Sequence, residues 1–315
     1  MFRLSSDIRI GGYFIKGVHE VEVRSSWEEL TDTCTLTFPR RVDWRGKSLA
    51  SGSDPLLKRN DAVAVRLGYD DKSVEVFQGY ISKLTTEIPV VIECQDTAYL
   101  LKQTTITKSY KDVELSDLLK AILPSQVPFS APTVRLGQFR ISNATPAKVL
   151  EYLRENYTLK SWFRGGRLYC GFAYVPELQR THILRFERNV VEHSLEYFRQ
   201  EDVKIKLKAI SMKPDNTKIE YETGDTDGEQ RTVYFYDVNE ADLKKLANDE
   251  IERLRYEGYR GSLTTFLQPQ INHGDVVDLR SAAYPERDGR YLVKSVTTTF
   301  GMNGGRQTLE LDSRI

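Results

Sequence analysis

The chain has 315 residues, of which 40% are hydrophobic and 29% charged, with 45 basic and 45 acidic side chains and a formal net charge of +0. This composition excludes an intrinsically disordered chain, and the length predicts about two domains, or three small ones, at roughly 150 residues each. Balanced charge gives no global attraction to nucleic acid or to an anionic membrane.

The N-terminus lacks the apolar run of a signal peptide, and no stretch approaches the roughly 18 apolar residues that span a bilayer. The sequence therefore predicts a protein made in the cytoplasm and kept there unless a larger particle carries it out. Three widely spaced cysteines, Cys34, Cys94 and Cys170, lack CxxC spacing. We expect buried reduced thiols rather than a disulfide framework or a zinc site.

Residues 1–105 are dominated by alternation of apolar and polar side chains, which is typical of half-buried antiparallel strands. In the segment 33–38, for example, Cys34, Leu36 and Phe38 share one face and three threonines share the other. Asp70 and Asp71 are typical of a turn between two such strands. We predict that this region is a first small β-barrel domain.

Helical spacing replaces alternation in residues 106–184. One helix is predicted within 112–124, where Pro124 ends the pattern, and a second begins at Thr145, an N-cap followed by Pro146. The pair Gly165-Gly166 indicates a hairpin turn. These elements predict a compact α+β middle domain.

Alternation returns in residues 185–315, the predicted second β-barrel domain. Residues 203–208 place apolar side chains on one face and lysines on the other. The segments 219–222 and 232–238 are predicted to pair across the loop 224–228. A helix is predicted at about 239–258, with Asn239 as its N-cap and Gly258 as its stop.

The two β-rich ends resemble each other. Residues 60–67 and 273–280 each combine a turn, an aspartate and an alternating strand; a glycine then opens a strand at Gly79 and at Gly289, and each copy closes on a strand ending in aspartate. Short alternating strands are common, so chance similarity is the alternative explanation. A true duplication would let three copies present six similar modules in a closed ring and match a six-fold partner.

In these segments the chain resembles the late control protein D family, the baseplate hub proteins of contractile phage tails, related to the N-terminal part of type VI secretion spike proteins. The resemblance covers the opening strands through the segment 33–39, the segments 61–67 and 77–81, and the C-terminal segments from 274 to 311. It implies a mainly β fold in which two similar tube-type barrels flank a small helix-containing domain.

It also implies a structural homotrimer, without catalytic activity or cofactor, that joins a tail tube protein to a separate spike protein. Because the chain stops at Ile315, we expect any spike or cell-wall-cutting domain on another polypeptide. The protein would assemble in the bacterial host cytoplasm and then enter the virion tail, with nucleic acid only as cargo in transit and no membrane partner.

Six basic residues are candidates for a tube lumen or a subunit interface: Lys204, Lys206, Lys208, Arg40, Arg41 and Arg45. The lysines could attract phosphates of passing DNA, although a solvated sheet face or an edge that blocks aggregation also accounts for them. The arginines could contact the next subunit or ring, or simply form a solvated loop.

Three motifs could suggest other chemistry. The segment 273–275 combines histidine and aspartate, but in a turn where glycine and aspartate are ordinary. His193 with Glu192 and Glu196 lacks a second histidine nearby in sequence, and residues 225–229 lack the full calcium-loop spacing. The alternatives to a hub are a carbohydrate- or cell-surface-binding β module and, lower in rank, a peptidoglycan hydrolase.

Overall fold

The computed structural model describes residues 3–15, 17–38, 43–44, 47–48, 57–85, 89–172, 174, 178–213, 215 and 217–315. Strands predominate over helices in these residues, and the helices lie between β-rich ends and within the second of them. The predicted mainly β fold with a helix-containing middle is confirmed.

The N-terminal strands form where alternation places apolar side chains on one face. Asp70 and Asp71 make the predicted tight turn, with φ of 51° and 61°. A 3-10 helix at Thr97–Lys102 follows the last strand. The strands are β1 (Leu4–Ile10), β2 (Tyr13–Ile15), β3 (Glu20–Ser26), β4 (Thr33–Phe38), β5 (Asp43–Trp44), β6 (Lys47–Ser48), β7 (Ala62–Tyr69), β8 (Lys72–Leu84) and β9 (Val90–Gln95).

The middle region contains two helices packed on short sheets. Thr145 caps the second helix by accepting a hydrogen bond from the Lys148 backbone, as predicted. The first helix lies within the predicted segment 112–124 and begins at Leu115, because Val113 and Glu114 still pair with a neighbouring strand. The elements are β10 (Ile106–Glu114), α1 (Leu115–Ile122), β11 (Phe129–Ser130), β12 (Arg135–Ala144), α2 (Pro146–Tyr157), β13 (Lys160–Arg164) and β14 (Arg167–Gly171).

The C-terminal region is again mostly strand. Asn239 caps its helix as predicted, but that helix ends at Leu254, and Gly258 opens a strand instead of stopping the helix. The elements are β15 (Thr181–Arg185), β16 (Val190–His193), β17 (Glu196–Phe198), β18 (Ile205–Met212), β19 (Lys218–Gly224), β20 (Glu229–Tyr236), α3 (Glu240–Leu254), β21 (Gly258–Arg260), β22 (Ser262–Phe266), β23 (Val276–Arg280), β24 (Gly289–Gly301) and β25 (Gly304–Arg314).

One predicted strand pairing is wrong. Strands β19 and β20 do not pair with each other, because β18 lies between them, antiparallel to β19 and parallel to β20. The loop that joins them passes close over the start of β18: a Cβ on Gly224 would lie 2.2 Å from the Ile205 carbonyl oxygen. The glycines at 224 and 228 therefore permit a crossing that a simple hairpin would not need.

The main sheet joins both ends of the chain. Its order is β16-β22-β25-β24-β3-β4-β9-β8-β7-β1-β2, with β23 also paired to β24 and β15 paired to β23. Strands β3 and β24 are antiparallel neighbours, so the N-terminal and C-terminal strands form one 13-stranded sheet.

The two halves of this sheet have the same strand order. The N-terminal half reads β1-β7-β8-β9-β4-β3, and the C-terminal half reads β15-β23-β24-β25-β22-β16, with the corresponding strands in the same order along the chain. One difference is that β1 is antiparallel to β7 whereas β15 is parallel to β23. The segments that resemble each other in sequence lie on β7 and β23, β8 and β24, and β9 and β25. We call the halves the N-terminal and C-terminal modules.

Each part of the chain has its own buried apolar cluster: one in the N-terminal module, one in the C-terminal module, one in the middle region and one beneath α3. The predicted domain boundaries, 1–105, 106–184 and 185–315, stay predictions. Among the described residues, no helix has both the length and the apolar character required to cross a membrane.

Candidate assembly interface

The junction between the two modules is a continuous backbone ladder. Strand β3 pairs with β24 from Ser26 opposite Ser295 to Glu20 opposite Gly301. Because these backbone groups satisfy one another, β3 has no free edge: β4 occupies its other side. The chain thus contains one complete example of how two such modules join.

Side chains reinforce this junction. Phe300 and Leu267 of the C-terminal module are buried in the core of the N-terminal module. The Tyr69 hydroxyl donates a hydrogen bond to the Gly305 carbonyl at 2.8 Å, and Gln270 donates to the Glu75 carbonyl at 2.9 Å. Apolar burial and polar contacts therefore both hold the two modules together.

Asp275, one of the residues considered for acid-base chemistry, is fully buried between the middle region and the C-terminal module. Its carboxylate accepts hydrogen bonds from the backbone of Asn272 and of Arg180, and it lies 3.1 Å from His182 Nε2 and 3.3 Å from Arg164. Burial opposes its charge, but these partners hold the pKa of Asp275 below its usual value. The Asp275 carboxylate thus binds groups from separate segments of the chain and holds these segments together.

The neighbouring His273 is 3% exposed, and burial lowers its pKa to about 4. Gly274 lies between them with φ of +76° directly against the Tyr174 ring, where a Cβ would approach to 2.1 Å. Tyr174 in turn accepts a hydrogen bond from Arg164. The segment 273–275 is therefore a tightly packed turn beneath the Tyr174 ring, which indicates a structural role.

A polar cleft of about 300 Å³ adjoins this turn, with His273, Arg164 and three acidic residues, Asp32, Glu75 and Asp96, in its wall. Burial raises the pKa of Asp32 to about 7, and burial together with the nearby Asp32 raises the pKa of Asp96. The Asp96 Oδ2 and His273 Nδ1 atoms are buried without a hydrogen-bond partner. The acid pair therefore retains a proton at a pH where isolated carboxyls are ionised.

In the lysine ladder, Lys206 and Lys208 lie on β18 and Lys204 lies directly before it, with the apolar side chains of that strand turned toward α3, as the alternation predicts. Each lysine has a carboxylate partner: Lys204 with Asp227 at 2.5 Å, Lys206 with Glu222 at 3.0 Å and Lys208 with Glu220 at 2.7 Å. Positive and negative charges thus alternate across this face. Its assignment to a lumen or an interface stays a prediction.

The remaining candidates are dispersed. Arg40, Arg41 and Arg45 lie outside the described residues. His193 packs edge-on against Phe186 with ring centroids 5.3 Å apart. Asp225 accepts hydrogen bonds from the Ile205 backbone and from Arg255, so the loop resembling a calcium site contacts β18 instead. In the part of the chain that the structure describes, no group of three or more histidine, cysteine or acidic residues could hold a metal ion.

The cysteines are free and buried, as expected, and burial raises the pKa of each thiol. Cys34 and Cys94 lie opposite each other on β4 and β9, a contact that their spacing in the sequence does not indicate. The β3–β24 ladder likewise has no signal in the sequence. The alternation of each strand indicates which face is buried, but it contains no information about which strand lies alongside.

Exposed apolar residues lie at the outer strands of the main sheet. Tyr13 and Phe14 belong to β2, at one end of the strand order, and Val191 belongs to β16, at the other. Ile183 on β15 and Tyr284 in the loop after β23 are also exposed. Unpaired strand edges with apolar side chains are suited to binding another strand.

No protein-family model matches the chain, and the search of curated proteins also finds no match. Solved structures do show the same fold. A tail protein from Neisseria meningitidis is similar over 99% of this chain and 96% of its own, with 15% identity and a TM-score of 0.64. The 43 kDa tail protein of prophage MuSo2 from Shewanella oneidensis is similar over 98% and 97%, with 15% identity and a TM-score of 0.64.

An Escherichia coli protein described as a component of the type VI secretion system, with structural similarity to bacteriophage T4 tail proteins, is also similar. The likeness covers 97% of this chain and 76% of that one, with 10% identity and a TM-score of 0.61. The fold suggested by the family resemblance in the sequence is therefore shared with phage tail and type VI secretion proteins.

Proposed function

We propose that the protein is a structural baseplate hub subunit of a contractile phage tail or a related injection system. Three copies would form a ring of six modules that joins the tail tube to a central spike. The observation that carries this proposal is the duplication within the chain: two modules with the same strand order, joined edge to edge.

Symmetry explains why the duplication matters. A ring contacts a partner uniformly only when the two have matching symmetry, and three copies of a two-module chain present six similar faces. Such a ring would meet a six-fold tail tube on one side and a three-fold spike on the other. The fold shared with proteins named as tail and type VI secretion components supports this assignment.

The proposed role is non-enzymatic. The buried carboxylate of Asp275 contacts four groups of its own chain, and the ladder lysines have carboxylate partners. The partners we propose are two further copies of the chain, a tail tube protein and a separate spike protein. The subunit would assemble in the bacterial host cytoplasm and then enter the virion tail, where nucleic acid would pass only as cargo.

Light scattering coupled to gel filtration tests the proposal. A trimer has three times the chain mass of 36.2 kDa, about 109 kDa. The measurement is made on the protein alone and after co-expression with a candidate tube protein and a candidate spike protein. A particle of that mass supports the hub. A monomer under both conditions contradicts it, and a monomer that binds glycans on an array favours a carbohydrate-binding module.

A further inference from the structure

The correspondence between the modules extends to individual residue pairs. In the N-terminal module, Ile81 lies opposite Cys94, a register shift follows, and Lys83 then lies opposite Glu93. In the C-terminal module, Val293 lies opposite Leu311, a register shift follows, and Ser295 then lies opposite Glu310. The two modules therefore have the same irregularity at the same place, which makes Lys83 the counterpart of Ser295.

The long strands β8 and β24 each have a second edge. Strand β7 begins at Ala62, opposite Tyr80 of β8, and β23 begins at Val276, opposite Leu292 of β24. Beyond these points β24 is covered from Ser295 onward by β3. Among the described residues, no strand covers the corresponding edge of the chain from Lys83, through the end of β8 at Leu84, to Thr85.

The counterpart of β3 is also identifiable. Val21 of β3 lies opposite Leu36 of β4, which lies opposite Ile92 of β9. His193 of β16 lies opposite Leu263 of β22, which lies opposite Leu309 of β25. Strand β17 continues the same ladder, with Glu196 opposite Arg260 of β21. Strands β16 and β17 together thus correspond to β3.

The outer edge of this β16–β17 segment is open. Within the described chain, β16 pairs only with β22 and β17 only with β21. Val191 is 44% exposed, whereas Val21 and Val23 of β3 are buried against their neighbours. One module thus has an unpaired edge on β8, and the other has the strand segment that corresponds to the one covering this edge in β24.

We propose that neighbouring copies join through these two edges, with β16–β17 of one copy pairing antiparallel with the second edge of β8 in the next. The contact repeats the β3–β24 ladder, and applying that register places Lys83 opposite Phe198, Leu84 opposite Tyr197 and Thr85 opposite Glu196 between copies. This inference rests on the proposed function, because it specifies how three copies make the ring.

We infer that the partner strand comes from a second copy of the chain, because the β3–β24 junction already shows that these two kinds of strand edge pair with each other. A head-to-tail contact between different surfaces generates a ring when its rotation closes. The position and exposure of Tyr284 agree with the same contact between copies. It lies 51% exposed in the loop after β23, the counterpart of the turn after Tyr69, and Tyr69 donates a hydrogen bond across the intrachain junction.

Disulfide cross-linking tests the register. Cβ atoms of directly opposed residues lie about 4.5–5.5 Å apart, within reach of a disulfide after small adjustment. The test variant combines Thr85→Cys with Glu196→Cys. The matched control combines Arg24→Cys with Thr297→Cys, the equivalent pair inside one chain. A second control combines Glu196→Cys with Met302→Cys, which is 88% exposed on a hairpin tip. The native cysteines are buried, so background oxidation is low.

After mild oxidation of the full chain, non-reducing gels should show covalent dimers and trimers for the test variant. The Arg24/Thr297 control should run as a single chain with an internal disulfide, because its two cysteines lie in the same copy. The Met302 control should form few or no covalently linked species. Linked trimers support the inference. A particle of about 109 kDa by light scattering, three times 36.2 kDa, without cross-linking above the Met302 control overturns the inference and leaves the trimeric hub standing.

Two further outcomes separate the ideas. Cross-linking that stops at two copies supports the edge pairing and contradicts the three-fold ring. A monomer without cross-links, alone and with tube and spike proteins, contradicts both.

Discussion

Replacement of Asp275 by asparagine should strongly destabilise the chain. The buried carboxylate accepts two backbone hydrogen bonds and contacts Arg164 and His182. Removing one partner of a buried charge pair typically costs roughly 3–5 kcal/mol. Asparagine preserves the shape and one acceptor oxygen, so we expect about 3 kcal/mol. Asp278→Asn is the matched control three residues further along the chain: the side chain of its partner Arg280 is 45% exposed, and solvent-exposed pairs contribute about 0–1 kcal/mol.

Urea unfolding followed by tryptophan fluorescence measures both variants, since Trp27 and Trp162 pack with Tyr174 close to this site. The pH dependence provides a second readout. Because the pKa of Asp275 is lowered on folding, its contribution is present above the unfolded carboxyl pKa and lost as the pH falls through the folded value. Asp275→Asn should lack this acid-sensitive component. Equal unfolding midpoints for Asp275→Asn and Asp278→Asn would refute the structural role assigned to this carboxylate.

Three further experiments test the packing and the protonation states of buried residues. Phe300→Ala truncates a 5% exposed side chain in the core of the N-terminal module and should lower the free energy of unfolding by roughly 3–5 kcal/mol. Met302→Ala, on the same hairpin but exposed, should change it by no more than about 0.5 kcal/mol in the same assay. Gly274→Ala should abolish or severely reduce soluble expression, because its Cβ meets the Tyr174 ring; Gly166→Ala, with φ of +75° but open space, should cost only about 1 kcal/mol. Between pH 7 and 4 the low pKa of His273 makes acidification destabilising, and the high pKa of Asp32 makes it stabilising. His273→Gln should therefore lose less unfolding free energy than the wild type on acidification from pH 7 to pH 4. Asp32→Asn should lose more over the same range. If both variants have the same pH dependence as the wild type, the assigned protonation states are wrong.

Local features of the fold were predictable from the sequence because their causes are local. Thr145 and Asn239 cap helices, since a side-chain oxygen followed by a helical pattern satisfies free backbone N–H groups. The alternation in β4 and β18 identified their buried faces. The end of α3 was predicted less well: Gly258 has the residue type of a helix stop but a φ of +156° at the start of a strand.

Neighbour relations were less predictable. The loop 224–228 has the composition of a hairpin, yet it crosses β18, and this depends on close backbone contacts at Gly224 and Gly228 rather than on alternation. The ladder lysines were recognised, but their carboxylate partners follow from the strand order. The shared β3–β24 ladder depends on residues far apart in sequence, and no local signal indicates it.

That ladder also has a consequence for synthesis. The Ser26 hydroxyl donates a hydrogen bond to the Lys294 carbonyl, a contact that spans 268 positions. At about 5–20 residues per second, a ribosome needs roughly 13–54 s to travel from one to the other. For this interval the nascent N-terminal module has an open β3 edge and lacks Phe300 in its core. We expect truncated products to aggregate through that edge, so completion of translation and completion of the first module coincide.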